Sequence, residues 1–329
     1  MTTARPRIAL TLGDPAGIGP ELAAKVISRP GILDAVEVYI LADRAELERA
    51  FADARLPLVP LSDEPTPGAA ILLDDNSAPA EEIPVGQVSV AAGARAMHQL
   101  ERALALVKEG RVGAIVFTPL NKTSLHLAGM HEDDELRWFA KHLEFEGTTS
   151  ELNVLDGLWT ARVTSHIPLS GVAERITAPN VTAAIELLNT VLVDAGLTPK
   201  IGVCALNPHA GENGNFGREE IDHIAPGIEA ARATGINVSG PFPSDTIFLA
   251  AKRGDFNGVV TMYHDQGQIA MKLIGFDGGV TISGGLPVAI TTPAHGTAFE
   301  IVGQGIANTR STEHAFDIAV SVASRRLND

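Results

Sequence analysis

The chain has 329 residues, enough at ~100–200 per domain for two domains or one large α/β unit. Its 45% hydrophobic and 20% charged residues exclude disordered and fibrous classes. With 25 Lys and Arg against 40 Asp and Glu, the net charge of −15 argues against nucleic-acid or membrane binding and obliges any anionic substrate to find a local cation.

The predicted elements alternate. Residues 7–12 (RIALTL) read as a buried strand, followed by the turn GDPAGIG and a helix opening at Pro20-Glu21, where proline suits the first turn. Residues 36–41 form a second strand and 44–52 a helix, while 56–88 read as irregular connection around one short strand at 70–73. A long amphipathic helix at 91–109 leads into a buried strand at 113–117. The acidic run 132–135 follows, then two strands at 151–155 and 160–165 joined through Asp156-Gly157. Further on, 182–195 is helical, 201–206 a strand, 218–234 a helix and 259–263 a strand. Strands at 280–283 and 288–291 flank a Gly-Gly-Leu-Pro turn, and 311–326 is a closing helix. This alternation predicts a parallel sheet covered on both faces. The first ten residues hold no apolar leader core and no run of 18 apolar residues occurs, so a soluble cytoplasmic protein is expected. The single Cys204 can form neither an internal disulfide nor a thiolate cluster, which agrees with a reducing compartment.

Residues able to carry chemistry collect after strands. The three glycines of GDPAGIG allow a tight turn and close approach, and the helix start behind them suits an anion. The segment matches neither G-x-G-x-x-G nor a P-loop, so a structural turn is the leading reading and a phosphate cradle the weaker one. Of the ten histidines, His98, His142, His223 and His314 fall on helical stretches as solvated side chains. His166, His209 and His264 each follow a strand, and ligands in open α/β sheets collect outside the carboxyl ends of strands. Three imidazoles would leave open positions on a divalent ion; each alone reads equally as a hydrogen-bonded loop residue. Asp245 and Asp265 can ligate, orient an imidazole or take a proton, and Ser244 or Asp245 can instead cap the next helix. Lys272 and Lys122 are the cations nearest such strand ends. His295, in HGTAFEI, opens a short helical stretch whose N–H donors suit a nucleotide.

In this order, GDPAGIGPE, TPLNK, SHIPL, LNPHAGENG, GPFPSDT, MYHDQG and HGTAFEIVG resemble the 4-hydroxythreonine-4-phosphate dehydrogenase family of pyridoxal phosphate biosynthesis, across nearly the whole chain. HGTAFEIVGQGIAN also looks like the cofactor loop of isocitrate and isopropylmalate dehydrogenases. The resemblance implies a two-domain α/β/α fold of isocitrate/isopropylmalate dehydrogenase type with a cleft between domains. These are drawn at 1–130 plus 295–329, with the nucleotide loop, and at 131–294, with the metal-binding histidines and dimer contacts. It implies a homodimer with an active site shared between subunits. NAD or NADP would bind at His295, Gly296, Thr297, Ala298 and Asn308. One divalent ion (Zn, Mg, Mn or Co) would be held by His166, His209 and His264, with one ligand from the partner subunit. The implied reaction oxidises a hydroxy acid, with Asp245, Asp265 or Lys272 relaying the proton and CO2 lost from the β-keto product.

The departures from that pattern fall at the substrate end. The family's Gly-His-Thr-Glu run aligns with Asp134-Glu135-Leu136-Arg137, its substrate-binding Asn with Thr281 and its Arg with Ile290. Substrate positions are therefore Glu135, Leu136, Arg137, Lys272, Thr281 and Ile290. Losing these cationic and polar groups weakens phosphate binding, so the expected substrate is an altered hydroxy acid or a dihydrodiol carboxylate. Arg137 either meets a carboxylate or pairs with the acids beside it. Two other readings are a metal-dependent hydrolase using a three-His site, which leaves HGTAFEIVG unexplained, and a non-catalytic ligand-binding relative.

Overall fold

The computed structural model of the chain describes residues 4–79, 83–155, 157–275 and 277–327; Asp156 of the predicted turn lies outside them. Two compact units emerge, Met1–Glu146 with Leu286–Asp329, and Gly147–Gly285. The strands are β1 Arg7–Thr11, β2 Glu37–Leu41, β3 Leu61–Ser62, β4 Ala70–Leu72, β5 Ala114–Phe117, β6 Ser150–Leu155, β7 Leu158–Arg162, β8 Ile201–Cys204, β9 Val238–Phe242, β10 Gly258–Thr261, β11 Val280–Gly284 and β12 Ala289–Pro293.

In the first unit the strand order is β3-β4-β2-β1-β5-β12, parallel at every pairing. Successive side chains of a strand point to opposite faces, so the uninterrupted apolar run of β1 requires cover on both. Ile8 and Leu10 pack with Val26, Leu47, Phe51 and Phe316, from the helices Gly19–Ile27, Arg44–Ala54 and Arg310–Arg326. Ala9 faces the other way, into a core with Leu100, Leu104, Trp138 and Phe139 from the helices Val90–Lys108 and Glu135–His142. The irregular stretch at 56–88 contains β3 as well as β4.

Two segments assigned on sequence to the second half pack here instead. Helix Glu135–His142 is capped by Asp134, whose side chain accepts from Arg137 N, and it buries Leu136, Trp138 and Phe139. Phe139 lies 5.7 Å from Phe117, ring centre to ring centre. β12 pairs directly with β5, which brings its flanking residues along.

The second unit is ordered β11-β6-β7-β10-β8-β9. The pairings β11 with β6 and β6 with β7 are antiparallel and the others parallel, so the sheet is mixed rather than wholly parallel. The predicted strand at 160–165 ends at Arg162, and the chain then leaves the ladder toward His166. The predicted helix at 218–234 divides into a π turn, Glu220–Ile224, and an α-helix, Ala225–Ala233. Pro226 supplies no N–H to the turn before it, which favours the wider opening.

Candidate active site

In the second unit, the carboxyl ends of β7 and β10 bring two of the three strand-end histidines together. Beyond β7, Thr164 Oγ1 donates to Met262 O at 2.8 Å and Val163 N to Thr261 O at 2.8 Å, fixing the approach to His166. His264 opens helix His264–Ile274 three residues after β10 ends. The His166 and His264 ring centres are 5.5 Å apart. Two imidazoles on one tetrahedral ion, at metal–nitrogen distances of ~2.1 Å, hold their ring centres ~5 Å apart, so the pair fits two positions on one metal. His264 Nδ1 donates to Asp265 Oδ1 at 2.7 Å, which leaves Nε2 as the ring atom that could hold a metal. Gln266 anchors the same turn, accepting from Met262 N at 2.7 Å and donating to Ala205 O at 2.8 Å.

His209 sits in an unusual turn. Residues 209–213 all have positive φ: His209 52°, Ala210 53°, Gly211 76°, Glu212 41° and Asn213 55°. A left-handed turn costs ~1–2 kcal/mol per non-glycine residue. The buried Glu220 carboxylate holds its entry, accepting from Leu206 N at 2.8 Å and Asn207 N at 2.7 Å. A Cβ on Gly211 would stand 2.6 Å from Glu220 Oε2, so glycine is required there. Among the described residues no three His, Cys, Asp or Glu side chains form a metal group, and His209 does not join the other two.

The remaining predicted groups of this unit are dispersed. Asp245 is exposed in the first turn of helix Ser244–Lys252; neither it nor Ser244 caps that helix, whose N-cap is Pro243. Asp265 is exposed apart from its bond to His264. Lys272 is exposed on the His264 helix, eight residues and therefore ~12 Å along its axis. Thr281 accepts from Asn153 Nδ2 at 3.4 Å, in a polar layer beneath that helix. Within this layer Asn153 Oδ1 accepts from Gln268 Nε2 at 2.6 Å and Arg162 Nη2 at 3.2 Å, and Arg162 Nη2 also meets Glu151 Oε2 at 3.1 Å. Burial pushes the Arg162 guanidinium below its usual range, opposed by Glu151. Sequence reading missed Arg162 and Glu220; the only available signal was one cation inside the strand-like TARVTS. Burial also raises the Cys204 thiol far above its ordinary value, leaving it inert.

In the first unit packing fixes where the predicted substrate residues stand. Ile290 is 0% and Leu136 6% exposed, both in the core around Trp138 and Phe139, so neither has surface to offer a ligand. Arg137 Nη1 pairs with Asp134 at 2.9 Å and Asp133 at 3.3 Å, the neighbouring acids. Lys122 Nζ lies 3.9 Å from Glu135, an exposed lysine beside the first turn of helix Glu135–His142. Of the helical histidines, His98 bonds Asp75 at 2.8 Å and His142 stacks on Trp138 at 3.9 Å.

The loop 13–21 proves to be a support for the segment 295–308. A Cβ on Gly13 would meet Thr118 O at 2.6 Å, one on Gly17 would meet Thr297 Cβ at 2.7 Å, and one on Gly19 would meet Leu12 O at 2.4 Å. All three glycines therefore serve packing. Ile18 N donates to Thr297 O at 3.0 Å, Glu21 Oε1 accepts from Ala307 N at 2.8 Å, and Lys25 Nζ donates to Gly305 O and Ala307 O at 3.0 Å. The supported segment keeps open chemistry. Gly296 has nothing within 4 Å of its Cβ position, and His295 Nε2 is buried with no partner. Those two features fit a nucleotide ligand. Thr297 is buried, Ala298 has φ 43°, and Asn308 Oδ1 accepts from Arg310 N at 3.0 Å, so part of the segment is scaffold. Beside loop 13–21 lies a cavity of about 250 Å³ whose walls include Pro15, Pro20, Arg49, Asp53 and Gln99. Gln99 Nε2 is buried without a partner there, while Gln99 Oε1 accepts from Leu12 N at 2.8 Å.

The family model described as pyridoxal phosphate biosynthetic protein PdxA matches residues 34–319. A Pseudomonas aeruginosa protein, provisionally named 4-hydroxythreonine-4-phosphate dehydrogenase 2, is 49% identical over 95% of this chain and 96% of its own length. A D-threonate 4-phosphate dehydrogenase of Cupriavidus necator is 40% identical over 98% of both. The crystal structure of a Klebsiella pneumoniae 4-hydroxythreonine-4-phosphate dehydrogenase superposes with a TM-score of 0.84 at 36% identity, covering 98% of this chain and 100% of that one. A β-decarboxylating dehydrogenase of Thermococcus kodakarensis, at 15% identity and TM-score 0.50 over 94% of this chain and 80% of its own, shares the fold alone.

Proposed function

The chain belongs to the pyridoxal phosphate biosynthetic protein PdxA family, and from that premise we propose that it is an NAD(P)-dependent, metal-assisted dehydrogenase oxidising the CH–OH of a small anionic hydroxy acid. The observation that carries the metal is the His166–His264 pair at 5.5 Å, with His264 oriented by Asp265. A second copy of the chain supplies the third imidazole in this reading, since His209 does not join the pair within one chain. The unpartnered His295 Nε2 and open Gly296 support dinucleotide binding at 295–308.

A divalent ion at the histidine pair would acidify the substrate hydroxyl, and nicotinamide would receive the hydride. The protein's own part is orientation and proton handling. Asp265, bonded to Nδ1 of His264, leaves Nε2 for the ion, and its exposed carboxylate is the proposed acceptor of the hydroxyl proton. Lys272, one further turn pair along the same helix, is the cation for the substrate's anionic end. Loss of CO2 from a β-keto product follows the same charge placement. Relatives are named for 4-hydroxythreonine-4-phosphate and D-threonate 4-phosphate, and the substrate here is taken to be a hydroxy acid phosphate of that range. Among the described residues no single helix is long and apolar enough to cross a membrane.

The test is nicotinamide reduction, followed by absorbance with NAD and NADP in turn. Substrates are 4-phosphohydroxythreonine, D-threonate 4-phosphate, their unphosphorylated forms and a dihydrodiol carboxylate, each with Zn, Mg, Mn or Co. Turnover that EDTA removes and His264→Ala abolishes is expected. Phosphate-ester or other hydrolysis without nicotinamide would overturn the assignment, as would inactivity across the panel.

A further inference from the structure

Helix His264–Ile274 meets the sheet in two chemically different ways. Toward its carboxyl end Met271 packs among Leu155, Leu158 and Val259, an ordinary apolar contact. At its His264 end the interface is polar: Gln268 bonds Asn153 of the sheet, Asn153 bonds Arg162 and Arg162 bonds Glu151, and a cavity of about 10 Å³, room for one water, lies among Asn153, Thr160, Arg162, His264 and Gln268. Gln268 is four residues after His264 and so stands one turn away on the same helical face. Its amide is held by Asn153, which is held by Arg162, which is held by Glu151.

Burying an ion pair under a helix is a poor way to gain stability, because desolvation consumes most of the attraction and an apolar pair of similar volume often does better. The Arg162 side chain is nevertheless only 5% exposed, and the apolar alternative is used about one turn beyond Gln268 on the same helix, at Met271. What the ionic layer offers instead is directionality, since hydrogen bonds fix position and rotation where apolar contacts allow sliding. We propose that Arg162, Glu151, Asn153 and Gln268 form a positioning network that sets the height and rotation of the His264 turn, and thereby the affinity of the His166–His264 pair for a divalent ion. This rests on the metal reading above. Gln266 secures the backbone of the same turn from the opposite side, through Met262 N and Ala205 O, so the helix start is tied at two edges. Arg162 and Gln268 are positioning residues, acting on the ion through His264.

The probe is Co2+, titrated into the full-length protein after chelator treatment, with affinity from calorimetry and ligand geometry from the visible absorption of the bound ion. Wild type should bind Co2+ and His264→Ala should not. Gln268→Leu is expected to weaken binding by roughly 10–100-fold and alter the spectrum, while the metal-free melting temperature stays close to wild type. Arg162→Met should act in the same direction, and Arg162→Lys, which keeps a donor to Asn153, should restore part of the loss. If Arg162→Met fails to fold, Gln268→Leu still decides the matter, because that side chain is only half-buried. Wild-type affinity and spectrum in Gln268→Leu would overturn the positioning network and leave the metal reading standing. Absence of Co2+ binding in the wild type would overturn both.

Discussion

Gly17 and Gly296 make a matched pair for testing how the nucleotide segment is supported. An alanine Cβ at 17 would lie 2.7 Å from Thr297 Cβ, 2.8 Å from Thr297 O and 3.1 Å from Thr297 Cγ2. Carbon contacts settle at ~3.5–4.0 Å, so Thr297 must withdraw by about 1 Å. The Ile18 N to Thr297 O bond, now 3.0 Å, would then stretch to ~4 Å and cease to be one. Overpacking of ~1–3 kcal/mol and a lost bond of ~1 kcal/mol between buried groups sum to about 2–4 kcal/mol. In a unit of this size that lowers the melting temperature by roughly 4–16 °C. Gly296→Ala meets no atom within 4 Å and should melt like wild type. Both variants should bind dinucleotide less tightly, Gly17→Ala because Thr297 has moved and Gly296→Ala because the new methyl stands in the ligand's path. Calorimetric melting and NAD titration read the two effects separately. A Gly17→Ala protein that melts with wild type, or a Gly296→Ala protein that binds NAD unchanged, refutes the division of labour between the two loops.

Arg95, whose side chain is 2% exposed, donates to Glu46 at 2.7 and 2.5 Å and to Asp43 at 3.0 Å, so Arg95→Leu strands two carboxylates and should cost about 3–5 kcal/mol in urea denaturation. Ile290→Ala should destabilise by about 2–5 kcal/mol while KM for substrate stays unchanged, because the side chain is core; a raised KM with unaltered stability would restore it to the substrate site. Burial holds the Asp14 carboxyl above its ordinary value of 3.8, opposed by bonds from Ala16 and Ser124. The unfolded chain ionises first, so this group's contribution is most favourable below pH 3.8 and is lost as pH rises through the folded value. Asp14→Asn should therefore gain stability relative to wild type at neutral pH and show no gain near pH 3; equal gains at both would contradict the assignment.

Much of this protein is legible without coordinates, and the limits are physical. The RIALT run has no polar alternation, so it must be covered on both faces, and the first unit is doubly wound as that requires. The strand-end position of His166 and His264 was equally readable, because a motif directly after a strand has only one place to go. By contrast, the antiparallel pairing of β11 with β6 has no signal in either segment, since strand direction is set by which neighbours pair. Ile290 illustrates the same limit: a resemblance carries its position, and only the pairing of β12 with β5 carries its burial.

The sequence by itself thus determined the strand and helix alternation, the acidic balance, the lack of a second cysteine for a disulfide, and the family. Tertiary structure alone decided which side chains meet across long sequence separations. Gly13 meets Thr118, Gly17 meets Thr297 and Glu21 meets Ala307, which makes the turn expected on sequence a buttress for the segment 295–308. Arg162, bonded to Glu151 and Asn153 on the neighbouring strand, turns a stray cation into part of a polar layer under His264. Periodicity encodes which face a residue takes, because that depends on backbone geometry a few residues long. The partner on that face depends on chain paths hundreds of residues apart, which no local pattern contains.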